Sequence, residues 1–160
     1  MDSKLTHVDE AGRIRMVDVG GKEPTDRHAR VQGDIIMQPD TIRLIVQDQI
    51  AKGNVIETAR IAGIMAAKRT SELIPLCHPL NLTSVNVDFE IKTDRVRVQT
   101  EARLTARTGV EMEAFTAAAV ALLTIYDMCK AVDRAMVVSE LQLVEKSGGR
   151  SGKFNKIPSL

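Results

Sequence analysis

Apolar and polar residues alternate in several segments of the chain, the pattern of strands with one face on a core and one on water. In the first such segment Ala29, Val31 and Ile35 are separated by polar residues, and Thr93-Asp94 is a natural hairpin turn further along. Strands are predicted at residues 27–37, 85–91, 95–104 and about 136–144.

Apolar residues spaced three and four apart predict helices at residues 39–51, 54–73 and 108–133. Asn54 is placed to cap the second helix, with Glu57 at the third position to return the cap. The second and third helices are rich in alanine, which implies close approach of helix backbones. Between them the segment around Cys77 is stiffened by Pro75 and Pro79, so an extended loop is expected there.

The element order β-α-α-β-β-α-β predicts an α+β fold of the split βαβ type, an antiparallel sheet with helices packed on one face. Residues 27–146 are expected to form a single domain. Residues 1–26 lack periodicity and are interpreted as a flexible N-terminal arm, and residues 147–160 as a polar, glycine-rich C-terminal tail.

Composition narrows the class of protein. The net charge is +1 and aromatic residues make up 2% of the chain, which argues against binding to nucleic acid. No apolar run approaches the roughly 18 residues of a transmembrane helix, so no membrane partner is expected. The two cysteines, Cys77 and Cys129, do not make a disulfide framework, and a reduced, cytoplasmic protein is predicted.

The adjacent residues Cys77 and His78 are candidates for part of a metal site or for a catalytic cysteine–histidine pair. Adjacent residues of an extended segment point to opposite sides, and few other ligands remain for a tetrahedral zinc ion, so no metal is expected. The stronger interpretation is that His78 binds a ligand or transfers protons. The alternative is a histidine with a purely structural place in a loop.

The long helix carries a second candidate. Asp127 and Lys130 share one face, either as a weak intrahelical ion pair or as an acid–base couple tuned by partial burial. Glu113 lies fourteen residues before Asp127, or about 21 Å along the axis, so one chain cannot bring both to a small ligand. Lys52, at a helix end, is expected on its own to be solvated. The tail lacks the spacing of a phosphate-binding loop, but it could close over an anion or be disordered.

Five stretches of the chain resemble the cyclic pyranopterin monophosphate synthases, which act in molybdenum cofactor biosynthesis. They are LTHVD, MVDV, KGNVIETARIAGIMAAKRTSELIPLCHPL, TGVEMEAFTAAAVALLTIYDMCKAVD and KSGGRSGKF. The resemblance implies a ferredoxin-like fold, a homohexamer assembled as a trimer of dimers, and no cofactor. It also implies a lyase that converts 3′,8-cyclo-7,8-dihydroguanosine 5′-triphosphate to cyclic pyranopterin monophosphate plus diphosphate.

The same resemblance assigns roles by position. Asp127 matches the catalytic aspartate, with Lys130, Lys52 and His78 as further groups for proton transfer. The residues implied in substrate binding are Leu76, Cys77, His78, Glu111, Met112, Glu113, Lys146 and Arg27. A non-enzymatic oligomeric module of this fold that senses a ligand, or a different nucleotide-ring hydrolase, is the rival hypothesis. Release of diphosphate from the cyclised nucleotide discriminates among them.

Overall fold

The fold is described here from a computed structural model, which covers residues 7–9, 11–149 and 152–156. It alternates strands and helices as the sequence pattern predicts, and the α+β class is confirmed. The elements are β1 (Thr25–Ile36), α1 (Pro39–Val46), α2 (Val55–Ala67), α3 (Thr70–Leu73), β2 (Ser84–Ile91), β3 (Arg95–Ala106), α4 (Glu111–Cys129), β4 (Val137–Ser147) and β5 (Phe154–Asn155).

The strands form one antiparallel sheet in the order β2-β3-β1-β4-β5. The first four follow the order of a split βαβ unit, with β1 at the centre. β1 pairs along its whole length with β3, so that Ala29 lies opposite Ala102 and Ile35 opposite Val96. The pairing of β1 with β4 is interrupted by register shifts, and Glu140 on β4 has a positive φ of 53° near one of them.

The core lies between one face of the sheet and the helices α2 and α4. Val31 and Ile35 of β1 are fully buried there, as are Leu122 and Ile125 of α4. A hydroxyl joins the two layers, because Thr100 of β3 donates a hydrogen bond of 2.7 Å to the carbonyl of Ala114. This places α4 directly across the middle of the sheet.

α4 departs from one expectation about composition. With 19 residues, the helix is long and apolar enough to cross a membrane, whereas no such segment is predicted from the sequence. Length and composition alone are weak evidence, since the core helix of a globular domain has the same properties. Of its apolar window 56% is buried inside the fold, so α4 has the surroundings of a core helix.

Several element boundaries differ from the predicted ones, each for a local reason. The first helix ends at Val46 because Asp48 takes a left-handed φ of 54°. The second ends at Ala67, whose carbonyl accepts a hydrogen bond of 3.0 Å from the hydroxyl of Thr70, and α3 follows separately. The predicted cap is confirmed, since the side chain of Asn54 accepts a hydrogen bond of 2.9 Å from the backbone of Glu57.

The C-terminal end of α4 is tied to the start of α1. The helix ends at Cys129, short of the predicted 133, because the chain turns and Asp133 is used elsewhere. The buried carboxylate of Asp133 accepts hydrogen bonds from the backbone N–H of Gln38, at 2.9 Å, and from the hydroxyl of Thr41, at 3.2 Å. These bonds hold the N-terminal end of α1, which has no side-chain hydrogen bond from its own N-cap residue.

Candidate active site

A cavity of about 290 Å³ opens at the N-terminal end of α4. Three segments line it, and they come from distant parts of the sequence. They are the N-terminal segment with His7, Val17, Val19 and Lys22, the loop with Leu76, Cys77, His78 and Leu80, and the turn into α4 with Thr108, Gly109, Glu111, Met112 and Glu113. Six of the eleven predicted site residues therefore lie around one cavity.

The loop before β2 brings Cys77 and His78 to the same cavity. The backbone N–H of Cys77 donates a hydrogen bond of 3.1 Å to the carbonyl of Ile74, so the chain turns here and is not extended throughout. Both residues line the cavity, and the opposite directions expected for their side chains stay a prediction. Burial raises the pKa of the Cys77 thiol, and the nearby Glu113 adds to the effect. A raised pKa keeps the thiol protonated, which does not favour a nucleophilic role.

His78 has a specific partner in the N-terminal segment. Its ring Nε2 lies 2.8 Å from the backbone carbonyl oxygen of Val17. This contact fits a ligand-binding histidine and also a histidine with a purely structural place in the loop, so the role of His78 stays a prediction. The bond also shows that the N-terminal segment forms part of the cavity wall.

The two glutamates at the start of α4 are in different surroundings. Glu113 is only 4% exposed, and its pKa is raised, first by burial and then by the charge of Glu111. Glu111 instead accepts a contact of 2.9 Å from the ammonium of Lys146 on β4. Burial that raises the pKa of a carboxyl favours its protonated form, and such perturbed carboxyls are common among general acids and bases.

Arg27 and the glycines of the tail meet beside this cluster. Arg27 lies near the start of β1, and its Nε donates a hydrogen bond of 3.4 Å to the carbonyl of Ala106. Gly148 and Gly149 follow β4 with φ of 96° and 73°, and a β-carbon at Gly149 would collide with the guanidinium of Arg27. The restriction to glycine is stricter at Gly148, because a β-carbon there would collide with the backbone carbonyl of Asp26. Arg150 and Ser151 of the tail lie outside the described residues.

A second cluster lies at the opposite end of α4. Asp127 holds two ammonium groups, since the Nζ atoms of Lys52 and Lys130 each lie 2.7 Å from its carboxylate. Lys52 also donates a hydrogen bond of 2.8 Å to the backbone carbonyl of Asp127. Lys52 is nearly half exposed, in keeping with the solvated lysine that was expected, but it also pairs with Asp127 and so joins the loop before α2 to the end of α4.

The electrostatics of this second cluster follow from the pairing. Hydrogen bonds from Lys130 and Lys52 lower the pKa of Asp127 to about 2, and the same carboxylate raises the pKa of Lys130. The three side chains are about half exposed, at 56%, 46% and 51% for Asp127, Lys52 and Lys130. Partial burial was the expected cause of the pKa shifts of Asp127 and Lys130. In a single chain these side chains are half exposed, so their pairing causes the shifts instead.

The structure separates the predicted site residues into two groups. Arg27, His78, Glu113 and their neighbours lie toward the start of α4, and the cluster of Asp127 lies at its end. Fourteen residues of helix separate Glu113 from Asp127, which corresponds to about 21 Å. Among the described residues, no three or more His, Cys, Asp or Glu side chains are grouped so that they could hold a metal ion.

Sequence reasoning missed the contribution of the N-terminal segment. Val17, Val19 and Lys22 line the cavity, although the segment shows no periodicity that would predict a fixed position. Its available signal was the MVDV motif, which lies at residues 16–19. The motif does not reveal this role, because the group that contacts His78 is the backbone carbonyl of Val17 and not a side chain.

Comparison with known proteins places this geometry in a family. A model of the MoaC family matches residues 16–149. The chain belongs to the MoaC family. Among its relatives, a protein of Pelotomaculum thermopropionicum is 58% identical over 156 residues, which cover 96% of this chain and 92% of the relative.

Two further relatives of the family are equally similar. A protein of Desulfatibacillum aliphaticivorans is 58% identical over 152 residues, covering 94% of this chain and 96% of the relative. One of Brucella ovis is 58% identical over 156 residues, covering 96% and 94%. All three relatives are named cyclic pyranopterin monophosphate synthase. The resemblance seen in the sequence motifs is thereby confirmed for almost the whole chain.

Proposed function

We propose that this chain converts 3′,8-cyclo-7,8-dihydroguanosine 5′-triphosphate to cyclic pyranopterin monophosphate and diphosphate. The observation that carries the proposal is the 58% identity, over 96% of the chain, to relatives that bear the name of this synthase. The cavity and the two charged clusters supply groups of the required types. The proposed enzyme is a phosphorus–oxygen lyase of molybdenum cofactor biosynthesis, located in the cytoplasm, where the free thiols of Cys77 and Cys129 remain reduced.

The reaction needs proton transfers and stabilisation of a polyanion. Opening the five-membered ring of the purine and closing a new ring move protons without a redox step, so positioned acids and bases suffice. Attack of a sugar hydroxyl on the first phosphate then forms the cyclic phosphate and breaks its bond to diphosphate. Lys52, Lys130, Lys146 and Arg27 are the cations proposed to contact the substrate, since ammonium and guanidinium groups bind phosphate oxygens strongly.

Asp127 and Lys130 are proposed as the central couple for proton transfer. With a pKa of about 2 the carboxylate of Asp127 is ionised at neutral pH, and it orients the ammonium of Lys130, whose pKa the ion pair raises. Glu113 and His78 are the proposed acid–base groups of the other cluster. Leu76, Cys77 and Met112 line the same cavity and are proposed to contact the substrate.

Both clusters can serve one substrate only if two chains combine them. The surface of α4 between them carries an apolar stripe, in which Met112 is 38% and Leu123 is 59% exposed. A second copy of α4 packed antiparallel on this stripe brings Glu113 of one subunit toward Asp127 of the other. Such a two-fold dimer has two equivalent composite sites, and it buries side chains that a single chain leaves in water.

We further propose that three such dimers form a closed hexamer. Apolar side chains remain exposed away from α4, including Ile61 at 58% and Met65 at 49% on α2 and Val137 at 54% on β4. Ile61 and Met65 lie one helical turn apart on α2, and this exposed apolar pair is the surface that we propose for a contact between dimers. Light scattering at micromolar concentration is expected to give six times the chain mass. A monodisperse monomer would be incompatible with the assembly.

The direct test of the function is incubation of the purified protein with the cyclised nucleotide, with measurement of released diphosphate. Wild type should release diphosphate, and Lys52→Ala should reduce the rate by roughly 10²–10⁴-fold, the usual contribution of a positioned acid or base. Lys92→Ala serves as the matched control, because Lys92 lies in the turn between β2 and β3 and pairs only with Glu90 in the described structure. Tight binding of the nucleotide without turnover would favour the non-enzymatic alternative.

A further inference from the structure

The hydrogen bond between His78 and Val17 determines which ring nitrogen carries a proton. Nε2 of His78 lies 2.8 Å from the carbonyl oxygen of Val17. A backbone carbonyl oxygen has no proton to give, so the ring nitrogen must be the donor. Neutral His78 therefore carries its proton on Nε2, and its lone pair lies on Nδ1.

We propose that the backbone carbonyl of Val17 is a positioning group for His78. It holds the imidazole in the Nε2–H tautomer, so that Nδ1 is the atom that exchanges a proton with the substrate. The same bond docks the segment of residues 17–22 on the cavity that Val17, Val19 and Lys22 line. The proton exchange rests on the proposed function, whereas the tautomer and the docking can be measured without any substrate.

Local bonds keep the Val17 carbonyl in place. The carboxylate of Asp18 accepts a hydrogen bond of 2.8 Å from the backbone N–H of Gly20, which closes a turn directly after Val17. The N–H of Lys22 then donates to the carbonyl of Val19 at 3.1 Å. Asp18 does not line the cavity, so a change at this residue disturbs the segment without removing a group from the site.

The histidine side of the contact is equally constrained. Pro79 follows His78 and restricts its backbone to extended conformations, and the turn at Ile74–Cys77 precedes it. A constrained loop therefore meets a constrained turn through the hydrogen bond of His78. Weakening either partner should loosen the other, and this reciprocal effect separates a positioning bond from incidental proximity.

The first measurement is the tautomer of neutral His78 in the ligand-free protein, from long-range ¹H–¹⁵N correlation spectra. Wild type should show a protonated Nε2 and a bare Nδ1. Asp18→Ala should move both nitrogen resonances toward the values of a free imidazole, which exchanges between tautomers. Asp18→Asn keeps an oxygen acceptor for Gly20 and should resemble wild type.

The second measurement approaches the bond from His78. In His78→Gln the side-chain amide places an N–H near the former Nε2, whereas in His78→Asn it lies near the former Nδ1. Gln should therefore keep residues 17–22 docked and Asn should release them. Tryptic cleavage after Lys22 should accelerate about fivefold in His78→Asn relative to His78→Gln, as expected for the loss of one ordinary hydrogen bond.

The outcomes separate this proposal from the proposed function. A wild-type protein with the Nδ1–H tautomer, or equal cleavage of the Gln and Asn variants, overturns the positioning role whatever the enzyme activity. If the tautomer and cleavage results hold but wild type releases no diphosphate, the positioning bond stands and the proposed function is wrong. Unfolding of either His78 variant would be detected by circular dichroism, and the Asp18 pair then decides the question.

Discussion

Glu113 illustrates a residue whose surroundings oppose its own ionisation. Its side chain is almost fully buried, and burial together with the charge of Glu111 raises its pKa above the ordinary value of 4.5. The native state therefore binds more protons than the unfolded state between 4.5 and the folded pKa. Stability must fall as the pH rises through this interval and remain lower above it.

Removal of this charge should stabilise the protein at neutral pH. Glu113→Gln keeps the shape of the side chain but cannot ionise, so we expect a higher melting temperature than that of wild type at pH 7. The gain should disappear below about pH 4.5, where wild type is protonated in both states. Thermal unfolding from pH 3 to pH 8 measures the effect.

The control for this experiment is Glu72→Gln on α3. Glu72 is exposed, so the change should leave the melting temperature almost constant across the pH series. A gain for Glu113→Gln that is equal at acidic and neutral pH would contradict the explanation by ionisation. The pH dependence, and not the size of the gain, is therefore the decisive result.

At the scale of single residues, the sequence predicts side-chain chemistry better than backbone chemistry. The pairing of Asp127 with Lys130 could be predicted because their spacing is visible in the sequence, and the structure contains this pair. The carbonyl of Val17 could not be predicted, since every residue has one and only the fold selects which is used. The pairing of Lys52 with Asp127 was missed for a similar reason, because 75 residues separate them.

At the scale of elements, the contact between α2 and α4 depends on the small size of Gly63. A β-carbon built at Gly63 would lie 3.0 Å from the backbone carbonyl oxygen of Ala117 and 3.2 Å from Val87. The carbonyl belongs to α4, a core helix that crosses the sheet, so it cannot shift locally as a flexible side chain would. The alanine-rich composition predicted this close approach, and the structure confirms it.

Gly63→Ala tests how tight the contact is. Alanine in a helix is normally favoured over glycine by about 1 kcal/mol. We nevertheless expect a net loss of about 1–3 kcal/mol in the free energy of unfolding, because the new methyl group forces the two helices apart. Ala62→Gly is the control. It lies at the neighbouring, less buried position of α2, and it measures the free-energy difference between alanine and glycine in this helix without the contact to α4. A stabilised Gly63→Ala variant would show that the helices can separate at little cost.

Element boundaries show where prediction from periodicity ends. Hydrophobic spacing located the first four strands and the three long helices, since each buries one face on the core. It did not locate the break between α2 and α3, which follows from a hydroxyl of Thr70 bound to a backbone carbonyl. The short strand β5 was also missed, because its two residues pair with the edge of β4 and lack a pattern of their own.

At the scale of the whole molecule, the long axis of α4 determines how a site can be assembled. The two charged clusters lie at opposite ends of this helix, and the stripe between them exposes Leu123. The separation of about 21 Å could be predicted from the sequence, because helical rise is constant. The position of a second subunit could not, since neither periodicity nor composition determines how copies of a chain associate.

Mixing of two inactive variants tests the composite site. Asp127→Ala and Glu113→Ala should each abolish activity alone, because every site in either dimer lacks one residue. In a mixed dimer one site lacks both residues and the other is intact. Random pairing makes half of the dimers mixed, so co-refolded variants should recover about a quarter of wild-type activity. Differently tagged subunits, purified through both tags, establish that mixed dimers are present. If such mixed dimers are as inactive as their parents, Glu113 and Asp127 do not share a site, and Glu113 then serves the cavity of its own chain alone.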